Sequence, residues 1–557
     1  MKKWLEFTVI SMEKEFLFRI FSDSLEKIGV TSFEKLNFES PKNADHGDLS
    51  CNIAMQLAKD LKKSPRDIAQ SIIDNLDYDP DAVSEVSIAG PGFINIRFSP
   101  AFYSVLFEKV RLAGKDYGRS IIGKGLKVNV EYVSANPTGL LHLGHGRNAV
   151  IGDTVANLYE WCGYDVTREY YFNNAGNQMN NLGKSIYSRY MQMVDESFAF
   201  PDDGYHGEYV KEIAAEIRKK HGSEYEDGSF QDMADIRKYG ESWCFEKIRE
   251  TLNNLNIKQD VFYNEDSLYK EGKIKELLDE LKEKGLSYEK DDATWLKLSE
   301  MGLDDDRVIV KSSGEPTYRL PDIAYHKEKF KRGFDIIVDV FGADHIATIP
   351  DVMAALKYLG FDQDRIKVLI HQFVTLTRDG QQVKMSKRTG KSYTLDDLIA
   401  ETGKDVTRFF LLMRNLTTHL EFDLGLAQEQ SDKNPVFYLQ YAHARICSVF
   451  ENADDKGIAL INKCNYKLLT HDSEIKLIKE ILRFPDLVEA ACRKHETHSI
   501  AEYLREMASA YHKFYHDCII LNDDDELTLA RLHLADVSRN VIKNGLSILG
   551  ISAPQKM

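Results

Sequence analysis

The stretch "ANPTGLLHLGHGR" (residues 135–147) sets two imidazoles, His142 and His145, three positions apart around Gly144. It follows the apolar run "VNVEYV" and precedes a helical pattern. Side chains at i and i+3 project toward one side of a helix. The first turn of a helix also offers unpaired N–H groups and the positive end of the dipole, so it attracts phosphate. Each imidazole can donate a hydrogen bond to a phosphate oxygen. Gly144 removes a side chain, so a flat ring such as adenine could lie against the backbone. His142, Gly144 and His145 thus read as an ATP pocket that grips the α-phosphate region without a Walker lysine. The alternative is that two histidines beside a glycine close the loop on each other. No nearby carboxylate or cysteine completes a metal set, so no metal site is assigned.

A second stretch, "VKMSKRTG", supplies Lys384 and Lys387 with Met385 and Ser386 between them, in a loop flanked by Gly380 and Gly390. Two lysines at this spacing can clamp a triphosphate and neutralise charge developing on a leaving pyrophosphate. Alone, such a stretch is a solvated surface loop. Paired with HLGH upstream, it completes a nucleotide site.

These loops need elements to hold them. "KVNVEYV" reads as a buried strand, "GRNAVIGDTVANLYEWCG" as a helix with Ile151, Val155, Leu158 and Cys162 on one face, and "YDVTREYYF" as the next strand. Strand–loop–helix–strand opens a parallel nucleotide-binding sheet. Residues from about 178 to 300 are polar and helix-rich and read as an insertion. Strand signals return only at "DRVIVKS", then "FDIIVDVFGADH" and "IKVLIHQFVTL". Upstream, "NIAMQLAKDLKKSPRDIAQSIIDNL" predicts two helices, the second started by Pro65. "VSEVSIAGPGFINIRFS" predicts strands around Gly90-Pro91-Gly92. After about 430 the chain reads as amphipathic helices.

The expected architecture is therefore α/β and multidomain. It has a small α/β N-terminal domain (1–120), a Rossmann-like parallel-sheet catalytic domain (121–430) with a helical insertion, and an all-helical C-terminal domain (431–557). A chain of 557 residues is too long for one core. No apolar run reaches membrane-span length. The N-terminus begins like a signal peptide, but Glu6 and Glu13 interrupt its apolar core, so it reads as the start of a folded domain. Seven scattered cysteines without a CxxC argue against a disulfide framework and for a reducing cytoplasm. A net charge of −16 argues against non-specific nucleic-acid binding. Residues 431–557 carry 16 basic and 18 acidic side chains, so that end repels RNA least.

HLGH followed by KMSK resembles the signature pair of class I aminoacyl-tRNA synthetases. The finer resemblance is to arginyl-tRNA synthetases. It is carried in order by "HGDLSCNIAMQLAK", "SANPTGLLHLGHGR", "FNNAGNQ", "PTYRLPDIAYH", "FGADH", "VKMSKRTG", "NPVFYLQYAHARI" and "GLSILGISAPQKM". Arg388 stands where a KMSKS consensus ends in serine.

The resemblance implies ATP-dependent ligation of L-arginine to tRNA(Arg) through an arginyl-adenylate, with Mg²⁺ on the β/γ oxygens of ATP. It implies a first step that depends on bound tRNA, and a monomer. His142, His145, Lys384 and Lys387 would be catalytic. Ser134, Asn136 and His145 would contact the amino acid's ammonium and carboxylate, and Tyr318 and Asp322 would line the side-chain pocket. Asp344 would bind arginine as well, at a position where many relatives carry a glutamine. A guanidinium suits a fork of carboxylates and carbonyl oxygens. Without the resemblance, Tyr318 and Asp322 read as a helix start, Asp322 facing first-turn N–H groups.

The helical C-terminal region would dock the anticodon loop, and the N-terminal domain, with "LKKSPR" (61–66), the tRNA elbow. Along "NPVFYLQYAHARICSVF", Phe437, Tyr441, Ala444 and Cys447 share a face that, on spacing alone, reads as core. Competing readings are a nucleotidylyltransferase, a non-catalytic tRNA-binding paralogue and another class I amino acid specificity.

Overall fold

The computed structural model describes residues 12–41, 43–378, 380–383, 393–462 and 464–557. Residues 16–113 form a four-stranded antiparallel sheet, in the order Phe38–Glu39, Leu49–Cys51, Phe93–Phe98, Val83–Ala89, with helices packed on it. Pro65 opens its helix behind a Ser64 N-cap, as predicted. The turn at 90–92 joins the two longest strands.

The centre is a five-stranded parallel sheet in the order Ile366–His371, Ile336–Gly342, Lys127–Glu131, Asp165–Phe172, Val261–Asn264. The chain adds strands to one side of Lys127–Glu131, then returns to the other. That places a topological switch beside the strand leading into HLGH, where open α/β sheets bind ligands beyond their strand ends.

Three features differ from the sequence expectation. The edge strand Val261–Asn264 lies inside the segment read as insertion; only Gly176–Met191, Glu208–His221 and Phe230–Asn254 form a separate helical core. "DRVIVKS" does not join the parallel sheet but pairs antiparallel with Ala293–Leu296, beside Ser287–Lys290. "IKVLIHQFVTL" breaks at Gln372-Phe373 into two strands of different sheets, the second, Val374–Arg378, pairing with Leu420–Asp423.

The helix Leu143–Trp161 is buried nearly all round rather than on one face. Its polar residues are consequently bonded inward: Asp153 accepts from Arg408 at 2.6 Å. Arg408 is fully buried and also donates to Leu255 O and Leu549 O, both at 2.8 Å. One guanidinium thus ties the signature helix, the insertion and the last helix of the chain, Asp525–Ile548. Ser552 bonds Asp405 and Pro554 O bonds His443, so the terminal segment is clamped between catalytic and C-terminal helices.

Gly550 has φ +69°, and a Cβ there would lie 2.2 Å from Arg408 Nη2. Gly550→Ala is expected to destabilise the protein by about 1–3 kcal/mol, the range for overpacking, read as a lower urea midpoint. An unchanged midpoint would mean that Arg408 moves aside without cost. The C-terminal region is helical throughout, from Pro435–Asp455 to Asp525–Ile548. No described helix is long and apolar enough to cross a membrane. All seven cysteines are free.

Candidate active site

Lys127–Glu131 delivers the chain to the switch point, where Val133 (φ +69°) and Ser134 (φ +44°) both take left-handed backbone. That conformation is uncommon for any non-glycine residue and a marked outlier for a β-branched one. Bonds on both sides hold it. Asn148 accepts from Val133 N–H at 2.6 Å and donates to Val340 O at 2.7 Å. Ser134 donates to Glu131 Oε1 at 2.9 Å and accepts from Tyr171 N–H at 3.2 Å. Backbone strain of this kind gathers where a site must be held in shape.

His142 is the N-cap of the signature helix. Its Nδ1 accepts from Gly144 N–H at 3.1 Å, and His145 Nδ1 accepts from His142 N–H at 3.3 Å. The rings stack with centroids 3.7 Å apart. The loop closes on itself through the Nδ1 atoms of the two rings. A neutral imidazole whose Nδ1 accepts must carry its proton on Nε2. Burial, with the neighbouring His142 and His371, pushes His145 down to about 3, so it stays neutral at pH 7. The reciprocal cap therefore fixes which tautomer His145 presents.

Lys384, Met385, Ser386 and Lys387 lie outside the described residues. Both ends of their loop are described, and both meet the HLGH segment. On the trailing side Leu395 N–H donates to Leu141 O at 2.9 Å, and a Cβ on Gly146 would lie 2.7 Å from Leu395 Cδ1. On the leading side the strand Val374–Arg378 follows Gln372, whose carbonyl accepts from Arg147 at 2.7 Å. An Arg378–Glu401 ion pair joins the two ends.

Asn136 accepts from Asn173 N–H at 3.0 Å and donates to Gln178 at 2.8 Å. Asn173 and Tyr171 in turn donate to the two oxygens of Glu265, at 2.8 and 2.7 Å. Glu265 is buried just beyond the edge strand, and burial raises its pKa. Sequence reasoning missed it: its partners are more than 90 residues away, and nothing local marks it.

Asp322 sits one turn into the helix Arg319–Lys331. It does not cap that helix. Among the described residues no donor or cation bonds its half-buried carboxylate. Burial foremost, with Glu131 and Glu265 adding repulsion against the pull of His326 and Lys329, pushes it up to about 7. Carboxylates at Asp322 and Glu265, with the polar groups of Tyr171 and Asn173, fit a bound cation with several donors.

Tyr318 is 71 % exposed at the rim. Asp344 is exposed just beyond strand Ile336–Gly342 and faces His345 at 3.8 Å; among the described residues no hydrogen bond or ion pair joins it to Asp322 or Ser134.

On the C-terminal domain, Ala444 and Cys447 are buried as the core reading expects. Tyr441 is not. It is 40 % exposed, with the Arg445 guanidinium 4.5 Å over its ring and 4.9 Å from Tyr515.

Three family models match the chain: "Arginyl tRNA synthetase N terminal domain" over 16–98, "tRNA synthetases class I (R), catalytic domain" over 108–417, and "DALR anticodon binding domain" over 439–557. The parallel sheet, the HLGH helix and these matches define a class I aminoacyl-tRNA synthetase. The chain is 48% identical to the arginine–tRNA ligase of Salinibacter ruber over 541 residues, covering 94% of this chain and 96% of that one. It is 45% identical to that of Desulfotalea psychrophila, covering 98% and 100%. The Thermus thermophilus arginyl-tRNA synthetase structure shares the fold, with a TM-score of 0.75 at 20% identity over 98% of this chain and 100% of that one. The chain belongs to the arginine–tRNA ligase family.

Proposed function

We propose that the chain carries out its family's reaction, ATP-dependent ligation of L-arginine to tRNA(Arg), with the residues that the sequence motifs single out and the buried carboxylates around Asp322. An arginine carboxylate oxygen attacks the α-phosphorus, the bond to pyrophosphate breaks, and arginyl-adenylate remains. A hydroxyl of the tRNA's terminal ribose then attacks the adenylate carbonyl and AMP leaves. Neither step needs a protein nucleophile; positioning and charge stabilisation carry the chemistry.

His142 and His145 hold the α-phosphate region by Nε2–H donors, Gly144 keeps space for adenine, and Lys384 and Lys387, with Met385 and Ser386, close over the departing pyrophosphate. Mg²⁺ enters as part of the substrate, on the β- and γ-oxygens of ATP. Ser134, Asn136 and His145 receive the amino acid's ammonium and carboxylate. Asp322, with Tyr318 at the rim, receives the guanidinium, and Glu265 joins that set. Asp344 is the remaining member of the arginine-binding set.

The observation that carries the arginine reading is Asp322, a half-buried carboxylate with no ion-pair partner among the described residues and a second buried carboxylate, Glu265, near it. A ligand bearing a multidentate cation would supply what it lacks. The domain division stands at about 120 and 430, with the elbow of the tRNA on the first domain around 61–66. The anticodon loop lies on the last, with Tyr441 and Arg445 as a stacking surface. The first step is expected to need bound tRNA, the protein to act as a monomer, and the compartment to be the cytoplasm.

The test is tRNA charging with each of the twenty amino acids. Arginine alone should be attached, and arginine-dependent pyrophosphate exchange should appear only with tRNA added. Charging with another amino acid would overturn the specificity; adenylate formation without any transfer would favour a nucleotidylyltransferase.

A further inference from the structure

Arg147, two residues beyond His145 on the same helix, is fully buried. Its guanidinium donates three hydrogen bonds, all to main-chain carbonyls: Gln372 at 2.7 Å, Thr418 at 3.0 Å and Asn415 at 3.0 Å. Among the described residues no carboxylate pairs with it. Burial lowers its pKa to about 10, which still leaves a cation at pH 7. A buried cation without a counter-ion is expensive to keep, so what it does there needs an explanation beyond packing.

Its partners explain it. Gln372 is the hinge at which the chain leaves the parallel sheet and turns into Val374–Arg378, the strand that leads to residues 384–387. Asn415 and Thr418 lie in the turn before Leu420–Asp423, the strand paired with Val374–Arg378. Gln372 N–H itself donates to Leu416 O at 3.0 Å. One planar fork from the HLGH helix therefore holds the root of the strand that leads toward residues 384–387 and the root of the strand paired with it. Lysine carries its three donors on one nitrogen and cannot reproduce bonds spread over Nη1 and Nη2.

We infer that Arg147 is a positioning residue for adenylate formation: it sets the HLGH helix in one register with the root of Val374–Arg378, the strand that leads toward residues 384–387. The inference rests on the nucleotide reading above. It makes a step-specific claim, since only the first step uses both segments on one triphosphate.

The experiment measures two rates on the same preparation of Arg147→Lys. One is pyrophosphate release in a single turnover with arginine, ATP and tRNA. The other is transfer to tRNA from supplied arginyl-adenylate. Their ratio does not depend on the fraction of folded enzyme. Adenylate formation should fall between ~10-fold and ~10²-fold, the range for misplaced reacting groups, with the KM for arginine unchanged and transfer within about twofold. Equal loss in both steps, or loss in neither, would overturn the inference.

Gly146→Ala presses on Leu395 at the other end of the loop and should give the same selective loss. It is read by the same criterion should Arg147→Lys yield no folded protein. Failure of the nucleotide reading would show in the wild type as absent arginine-dependent pyrophosphate release; failure of this inference shows only in the variants.

Discussion

Asp322→Asn is expected to lower kcat/KM for arginine on the order of 10²- to 10³-fold, with ATP affinity little changed. Removing one member of a buried, hydrogen-bonded charge pair costs about 2–5 kcal/mol, and each tenfold is about 1.4 kcal/mol. The substitution keeps the volume and one acceptor oxygen, so the loss reports charge. The same carboxylate makes arginine binding depend on pH. In the free protein Asp322 ionises at about 7, chiefly because it is buried. Below that pH it is protonated and cannot pair with a guanidinium. The KM for arginine should therefore rise as pH falls from 8 to 6, and the slope should vanish in Asp322→Asn.

Stability runs the other way. The folded state binds this proton more tightly than the unfolded chain, whose aspartate ionises near 3.8. Stability from this group is therefore lost as pH rises from about 4 toward 7, and the folded chain carries the cost above that. Asp322→Asn should raise the melting temperature at pH 8 in the absence of arginine. A variant both less active and less stable at that pH would point to a packing role instead.

Lys387→Ala is expected to slow adenylate formation by ~10²-fold or more, the range for a lost charge-stabilising donor, with arginine binding little changed. The described half of the nucleotide site supplies dipoles rather than charge. His145 is held neutral, and the first-turn N–H groups of Gly144 and His145 are capped by His142 Nδ1. The departing pyrophosphate needs full positive charge, and residues 384–391 contain Lys384, Lys387, Arg388 and Lys391. Near-normal single-turnover rates in Lys387→Ala would refute the assignment.

Local chemistry made part of this legible in the sequence. Pro65, the 90–92 turn and the strand before HLGH are signalled by residues adjacent to the feature they create. The edge strand Val261–Asn264 was not legible, because four half-buried residues in a polar stretch give no periodic signal. "IKVLIHQFVTL" is apolar throughout, so the change of sheet at Gln372 leaves no trace in its pattern. Amphipathic spacing misled for Leu143–Trp161, since a helix covered on every side has no polar face to reveal.

The site divided in the same way. The histidine pair and Asp322 stand in recognisable motifs. Glu265, Asn173, Arg147 and Arg408 gain their roles from partners far along the chain, and a buried arginine reads in sequence like a solvated one. The reciprocal cap between His142 and His145 bears out the loop-closing reading, and because it is made through Nδ1 it is compatible with the phosphate-binding one.

The central claim is that the HLGH helix and the KMSK loop enclose one triphosphate. A crystal structure with arginine, tRNA and an ATP analogue that cannot release pyrophosphate tests it directly. The account predicts α-phosphate oxygens within hydrogen-bond distance of His142 or His145 Nε2 while Lys384 or Lys387 reaches the β- or γ-phosphate. A triphosphate bound by one segment alone, with the other turned to solvent, would contradict it.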